Sequence, residues 1–136
     1  MKRISEKMIR DVMTRGVVTA CAGTSLIEVT KMLASQQVSG IAITSADGDV
    51  LGFISETDIL KALAKPDLEH IIAEDVMSSR LVSIAPDATI GRAAKIMEAK
   101  HVHRLLVLSE KRAGSAQRPI GILSASDIVR MVAEMG

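Results

Sequence analysis

Two stretches of the chain combine glycine, hydroxyl and carboxylate side chains in the same order. Gly121 to Asp127 has the sequence Gly-Ile-Leu-Ser-Ala-Ser-Asp, and Gly52 to Asp58 has Gly-Phe-Ile-Ser-Glu-Thr-Asp. A serine followed three residues later by a carboxylate is typical of a helix start, where both side chains accept backbone hydrogen bonds. The same start offers N–H groups and hydroxyls to a phosphate, a carboxylate can bind ribose hydroxyls, and Gly121 allows a ligand close to the backbone. Capping and ligand binding are compatible, and the duplication favours a ligand.

A basic segment precedes an apolar run in the second half of the chain. It has the sequence Lys-His-Val-His-Arg at residues 100–104. On a strand, His101 and His103 would lie on one face. A metal site needs three or four converging ligands, however, and the chain holds only one other His and one Cys. A phosphate site fits better, because the Arg104 guanidinium offers a fork of N–H donors and His103 can add another.

An internal repeat explains where these residues stand. Asp-Val-Met-Thr at 11–14 returns as Asp-Val-Met-Ser at 75–78, a shift of 64 residues. The shift grows to 69 at the two Gly-to-Asp stretches, because the second copy has a longer polar segment at 110–119, which predicts a hairpin loop with an insertion. The repeat predicts two domains, residues 1–66 and 67–136.

Each copy predicts the same order of elements. A short helical lead-in precedes a strand, which ends at Thr19 in the first copy and at Ser83 in the second. The helix that follows has apolar residues on one face. These residues are Leu26, Val29 and Leu33 in the first copy and Ile90, Ala93 and Met97 in the second. Two apolar strands, joined in the first copy by the turn Asp47-Gly48, and a second helix complete the copy. We therefore expect an α/β (α+β) fold of two pseudo-symmetric β-α-β-β-α repeats, with these strands buried on both faces.

The composition excludes several classes of partner. Lys and Arg number 17 and Asp and Glu 16, so the chain lacks the basic excess of a nucleic-acid-binding protein. The only aromatic residue is Phe53, which excludes stacking platforms for single strands and is expected in the core because Ile122 is its counterpart. No apolar run reaches the roughly 18 residues of a membrane helix, the N-terminus lacks a secretory signal, and Cys21 is a lone cysteine. These features predict a cytoplasmic protein with no membrane partner.

The duplicated order of elements resembles a pair of CBS domains, also called a Bateman module. Each copy opens with Asp-Val-Met-[Ser/Thr] and closes with Gly, two apolar residues, Ser-x-[Ser/Thr]-Asp-Ile. The resemblance covers residues 11–63 and 75–132, nearly all of the chain, and predicts a stand-alone pair without an attached catalytic domain. The Val-His-Arg-Leu-Leu-Val run at 102–107 is similar to the segment of nucleotide-sensing CBS proteins in which a His-Arg pair contacts phosphate.

The resemblance implies an adenosine-containing ligand, such as AMP, ADP, ATP or S-adenosylmethionine, in clefts that take residues from both copies. The terminal Asp would bind the ribose, and the hydroxyls would lie near phosphate. Gly40 stands where the second copy has Arg104, so the cleft with Arg104 is expected to be the stronger phosphate site. The main cleft is assigned Thr19, Ser39, His103, Arg104, Ser124, Ser126 and Asp127. The weaker mirror cleft is assigned Ser83, Ser55, Thr57 and Asp58.

Three functional hypotheses follow. The leading one is a regulatory module, not an enzyme and without a required cofactor, that forms a homodimer and signals to an unidentified partner protein. The alternative is a ligand-independent scaffold protein, in which the repeats form a docking surface and the Ser–Asp pairs only cap helices. The third is an enzyme or metal protein that uses His101, His103 and Asp127. It has the least support, because the chain contains neither a Gly-x-Ser-x-Gly motif nor a P-loop.

Overall fold

The chain folds into two compact units. The computed structural model describes residues 3–38, 40–79, 82–109 and 118–135. The first-repeat unit comprises residues 17–38, 40–79 and 118, and the second-repeat unit comprises residues 3–16, 82–109 and 119–135. Each unit encloses an aliphatic core of its own.

The elements follow the predicted order in both repeats. In chain order the strands are β1 (Thr14–Arg15), β2 (Thr19–Cys21), β3 (Gly40–Thr44), β4 (Val50–Ser55), β5 (Ser83–Ile84), β6 (Arg104–Leu108) and β7 (Pro119–Ser124). The α-helices are α1 (Leu26–Gln36), α2 (Glu56–Ala62), α3 (Ala73–Val76), α4 (Ile90–Lys100) and α5 (Ala125–Ala133). Short 3-10 helices lie at Ile4–Glu6, Ile9–Asp11 and Leu68–His70.

A mixed sheet forms the frame of each unit. In the first-repeat unit the strand order is β2-β3-β4, with β2 parallel and β4 antiparallel to β3. In the second-repeat unit the order is β1-β7-β6-β5, with β5 parallel and β7 antiparallel to β6. The predicted turn between β3 and β4 is present, and Gly48 takes a φ of 89° there, a conformation that glycine adopts without strain.

The long helix of each unit packs on its sheet through the predicted face. The hydroxyls of Ser25 and Thr89 cap α1 and α4 by accepting the N–H of the residue three positions on. The buried helix residues are Leu26, Val29, Leu33, Ile90, Ala93 and Met97. His101 ends α4 in the left-handed conformation, and β6 begins only at Arg104. The prediction that His101 and His103 share one face of a strand is therefore wrong.

The lead-ins are exchanged between the repeats. Residues 3–16, which open the first repeat in sequence, belong to the second-repeat unit, and residues 67–79 belong to the first-repeat unit. Equivalent hydrogen bonds hold the two lead-ins: the Ile9 N–H donates to the Ala88 carbonyl at 2.9 Å, and the Ala73 N–H donates to the Thr24 carbonyl at 2.8 Å. The predicted domain boundary between residues 66 and 67 separates the two sequence repeats. The compact units do not follow this boundary, because the lead-ins are exchanged between them.

Each lead-in brings a methionine onto a strand glycine. A Cβ atom built on Gly121 would lie 2.7 Å from Met13 Sδ and 2.7 Å from the Thr14 carbonyl oxygen. A Cβ on Gly52 would lie 2.6 Å from Met77 Sδ. The close approach that the sequence analysis assigned to a ligand at Gly121 is therefore made by the chain itself, through the Asp-Val-Met motif.

Three further expectations change in detail. Thr19 and Ser83 begin their strands instead of ending them. β3 is buried at every position and β6 at all but its first, as expected for strands covered on both faces. In β4 and β7, however, only Gly52, Ile54, Gly121 and Leu123 are buried. Phe53 occupies one of the half-buried positions of β4, so its predicted place in the core is wrong.

Replacing Gly121 by alanine tests the methionine–glycine contact. Because the new methyl group would overlap the Thr14 carbonyl, we expect Gly121→Ala to lower the free energy of unfolding by about 1–3 kcal/mol. Gly23→Ala is the matched control, since nothing lies within 4 Å of a Cβ at that position. Equal thermal unfolding midpoints for the two variants would contradict this account of the lead-in.

Candidate functional site

The residues at the start of α5 form a reciprocal cap. The Ser124 N–H donates to Asp127 Oδ2 at 2.9 Å, and the Asp127 N–H donates to Ser124 Oγ at 3.0 Å. This capping box satisfies backbone N–H groups that the first turn of the helix leaves without partners. The Asp127 side chain is 17% exposed and is held in one orientation by the box.

The first-repeat unit builds the same cap at the start of α2. The Ser55 N–H donates to Asp58 Oδ2 at 2.8 Å, the Ser55 hydroxyl donates to the same oxygen at 3.0 Å, and the Asp58 N–H lies 3.4 Å from Ser55 Oγ. No residue that the structure describes donates a hydrogen bond to Asp58 Oδ1. The cap therefore uses one carboxylate oxygen of each Asp and leaves the other able to accept a hydrogen bond from a ligand.

Asp127 has a neighbour that the sequence analysis missed. Arg130 Nη1 lies 3.5 Å from Asp127 Oδ1, at the outer limit of a hydrogen bond, and the Arg130 side chain is 66% exposed. Such a pair contributes little to stability in water. The spacing of three residues on a helix was the signal in the sequence.

β6 places the basic segment beside the cap in the second-repeat unit. Arg104 is paired with Ser124 in the antiparallel register of β6 and β7, so the two side chains project from the same face of the sheet. The Ala125 N–H donates to the His103 carbonyl at 2.7 Å, which fixes the start of α5 to the residue before β6. In the first-repeat unit the equivalent partner of Ser55 is Gly40, which has no side chain to offer.

The remaining predicted hydroxyls are on the surface. Ser126 and Thr57 are exposed in the first turns of α5 and α2, and Thr19 and Ser83 are exposed at the first positions of β2 and β5. Ser39 lies outside the described residues. Within the second-repeat unit the structure thus brings together Arg104, Ser124 and Asp127, and the joining of Thr19 and Ser39 to them in one cleft stays a prediction.

These groups define what the second-repeat unit can do chemically. The start of α5 presents backbone N–H groups and a hydroxyl, which suit an anion, and Arg104 adds a cationic donor on the neighbouring strand. Asp127 adds an acceptor for hydroxyl groups. Across residues 3–38, 40–79, 82–109 and 118–135, no group of three or more His, Cys, Asp or Glu residues is arranged to hold a metal ion, so the metal hypothesis gains no support from His101, His103 and Asp127.

A comparison with protein families finds two matches to the CBS domain, at residues 9–65 and 73–134. Among curated proteins, the chain is 28% identical over 131 residues to a homoserine O-acetyltransferase of Methanohalobium evestigatum and 30% identical over 131 residues to that of Methanococcoides burtonii, covering 96% and 95% of this chain. The chain spans only about a quarter of the length of these relatives, 25% in both cases. An L-aspartate semialdehyde sulfurtransferase of Methanocaldococcus jannaschii is 24% identical and is matched over 23% of its length.

Solved structures share the fold. The CBS domain pair of protein MJ0100, in complex with 5′-methylthioadenosine and S-adenosyl-L-methionine, has a TM-score of 0.82 and 22% identity, with 96% of this chain and 99% of that chain covered. CBSX2 in complex with AMP has a TM-score of 0.76 and 20% identity, with 94% and 97% covered. No helix in the described part of the chain is both long enough and apolar enough to span a membrane. Because both family matches coincide with the two structural repeats and together cover most of the sequence, the chain belongs to the CBS-domain family, as a pair of CBS domains.

Proposed function

We propose that this chain is a regulatory module that binds an adenosine-containing ligand, with AMP, ADP, ATP and S-adenosylmethionine as the candidates. It contributes no catalytic activity and requires no cofactor. Asp127 accepts hydrogen bonds from the ribose, and Arg104, with the hydroxyls and N–H groups at the start of α5, binds the group attached to the 5′ carbon. His103, Thr19 and Ser39 complete this site. The site around Ser83, Ser55, Thr57 and Asp58 is the weaker one.

The observation that carries the proposal is the register that sets Arg104 opposite Ser124. It places a guanidinium on the strand beside a capped helix start, where the carboxylate oxygen Oδ1 of Asp127 is not used by the cap. A cap alone requires Ser124 and Asp127 but not the arginine beside them. The structures of MJ0100 and CBSX2 contain ligands that include S-adenosyl-L-methionine and AMP, which supports an adenosine ligand for this chain.

Regulation requires that the ligand bind one state of the module better than another. A second copy of the chain is the partner that the exposed surface favours. Leu60 and Leu63 of the first-repeat unit are 65% and 58% exposed, and their counterparts in the repeat, Val129 and Val132, are 66% and 53% exposed. Exposed apolar pairs that recur at equivalent positions suit a symmetric contact between identical chains. We therefore propose a homodimer formed through α2 and α5, which signals to a further protein partner.

Exchanging Arg104 for the glycine of the first repeat tests the phosphate contact. We expect Arg104→Gly to weaken AMP binding about tenfold or more, because a charge-assisted hydrogen bond is lost. Binding of adenosine, which has no phosphate, should be nearly unchanged. Calorimetric titration of both ligands measures the difference, and an equal loss of affinity for AMP and adenosine would contradict the role of Arg104.

Asp127→Ala and Asp58→Ala separate ligand binding from capping. Each variant removes one equivalent cap, at a cost of about 1 kcal/mol. In the wild-type protein, AMP at about 100 times its dissociation constant should add about 2.7 kcal/mol of stability. We expect Asp127→Ala to abolish most of the resulting rise in the thermal midpoint and Asp58→Ala to keep it. A larger loss with Asp58→Ala would reverse the assignment, and a wild-type protein that no adenosine ligand stabilises would favour the scaffold function.

The oligomeric state tests the proposed contact through α2 and α5. Light scattering after size exclusion should give the mass of two chains for the wild type and of one chain for Leu60→Glu combined with Val129→Glu. Because these side chains are exposed in the single chain, the substitutions should leave its fold intact, which circular dichroism checks. A wild-type protein with the mass of one chain would rule out the homodimer.

A further inference from the structure

A groove in the second-repeat unit runs between the exchanged lead-in and α5. Its volume is about 480 Å³, within the range of small-molecule sites. Its lining consists of Lys7, Asp11, Val12, Asp127, Arg130, Met131 and Glu134. Asp127, Arg130 and Met131 share one face of α5, and Glu134 follows the last residue of this helix. This side of the groove therefore extends for about 10 Å.

Charges of both signs line the groove without neutralising one another. Within the described part of the chain, Lys7, Asp11 and Glu134 have no ion-pair partner within 4 Å, and the Asp11 carboxylate accepts no hydrogen bond. Arg130 and Asp127 are the charged lining residues that contact each other, with Nη1 and Oδ1 3.5 Å apart. Val12 and Met131 are half-buried and supply an apolar surface between the charges.

In the first-repeat unit, two positions equivalent to lining residues of the groove are buried apolar residues. Ile71 stands at the position equivalent to Lys7 and is 5% exposed, and Ala62 stands at the position of Met131 and is 1% exposed. Both belong to the core of that unit. The carbonyls of Lys7 and Ile71 each accept a helix N–H at 2.9 Å, so this part of the lead-in is held in the same way in both units. The two linings differ in their side chains and also in the lead-in backbone, which is a 3-10 helix at Ile9–Asp11 and an α-helix at Ala73–Val76.

The carboxylates of the counterpart are arranged differently. Asp75, equivalent to Asp11, accepts the Ile72 N–H at 3.1 Å and so caps α3. Lys65 takes the position of Glu134. The groove beside α5 thus differs from its counterpart at three positions. Lys7 adds a cation, the Asp11 carboxylate does not cap a helix, and Glu134 replaces a lysine.

We propose that the groove is a second ligand site, which adjoins the proposed adenosine site at Asp127 but binds its ligand through other residues, and that it binds a free α-amino acid with an unbranched apolar side chain. The α-carboxylate is bound by Lys7 and Arg130, and the α-ammonium by Asp11 and Glu134. The side chain of the ligand lies on Val12 and Met131. A phosphate compound fits less well, because three carboxylates and only two cations line the groove.

L-Methionine is the probe, because it carries both charges on a linear apolar side chain. Titration of the full-length, ¹⁵N-labelled protein should shift the amide resonances of residues 7–12 and 127–134. Methionine amide lacks the carboxylate and N-acetylmethionine lacks the ammonium. Each compound should therefore have an affinity at least about tenfold lower than that of methionine. Equal shifts with all three compounds would overturn the proposal without the need for any variant.

Two variants introduce residues of the first-repeat unit at equivalent positions of the groove. Lys7→Ile and Glu134→Lys should each weaken methionine binding about tenfold or more, and Lys61→Ile in the first-repeat unit is the matched control that should not. Both groove variants leave Ser124, Arg104 and Asp127 in place, so AMP binding should persist in them. Unchanged methionine affinity in Lys7→Ile, or displacement of methionine by saturating AMP, would overturn a separate site. Failure of AMP to bind the wild type would instead refute only the adenosine proposal.

Discussion

The contact between a methionine and a strand glycine underlies the rest of the structure. Met13 lies on Gly121 and Met77 lies on Gly52, each so closely that a β-carbon on the glycine would overlap it. These contacts dock each lead-in against the last strand of a unit, and the strand leads directly into the capped helix that carries the candidate site. Because each lead-in comes from the other repeat in sequence, a unit cannot complete its core from its own repeat alone. The Asp-Val-Met and Gly-to-Asp motifs, far apart in the sequence, are therefore two halves of one packing arrangement.

The capping boxes show how a structural requirement prepares a binding site. Asp127 must turn back to accept the Ser124 N–H, because the first turn of α5 otherwise leaves that donor without a partner. Once one carboxylate oxygen is fixed in this way, the second is oriented as well. The Asp127 side chain has then already lost its rotamer freedom on folding. A ligand hydroxyl then meets an acceptor that needs no further ordering. Capping and ligand binding are therefore cooperating roles of one side chain.

The sequence predicts local structure well and long-range placement poorly. The faces of α1 and α4, the caps at Ser55 and Ser124, and the turn at Gly48 all follow from spacings within a few residues, and the structure confirms them. The exchange of lead-ins could not be predicted, because it depends on which of two similar units offers the better surface, and the two motif copies are nearly identical. His101 was misplaced for a related reason: a residue just before a strand was assigned to the strand, although the helix continued up to it. The joining of Thr19 and Ser39 to Arg104 remains a prediction.

The duplication provides the fold, and the departures from it distinguish the two units chemically. Residues that build the core or the caps are kept as equivalent types in both repeats, such as Ile54 and Leu123 or Asp58 and Asp127. The differences include three pairs of equivalent positions: Gly40 against Arg104, Ile71 against Lys7, and Lys65 against Glu134. All three place an additional charged side chain, or a charge of the opposite sign, in the second-repeat unit. Lys7 and Glu134 are exposed, and an exposed charge adds little to stability. Stability therefore gives no reason to place these two charges in one unit alone, whereas ligand binding does.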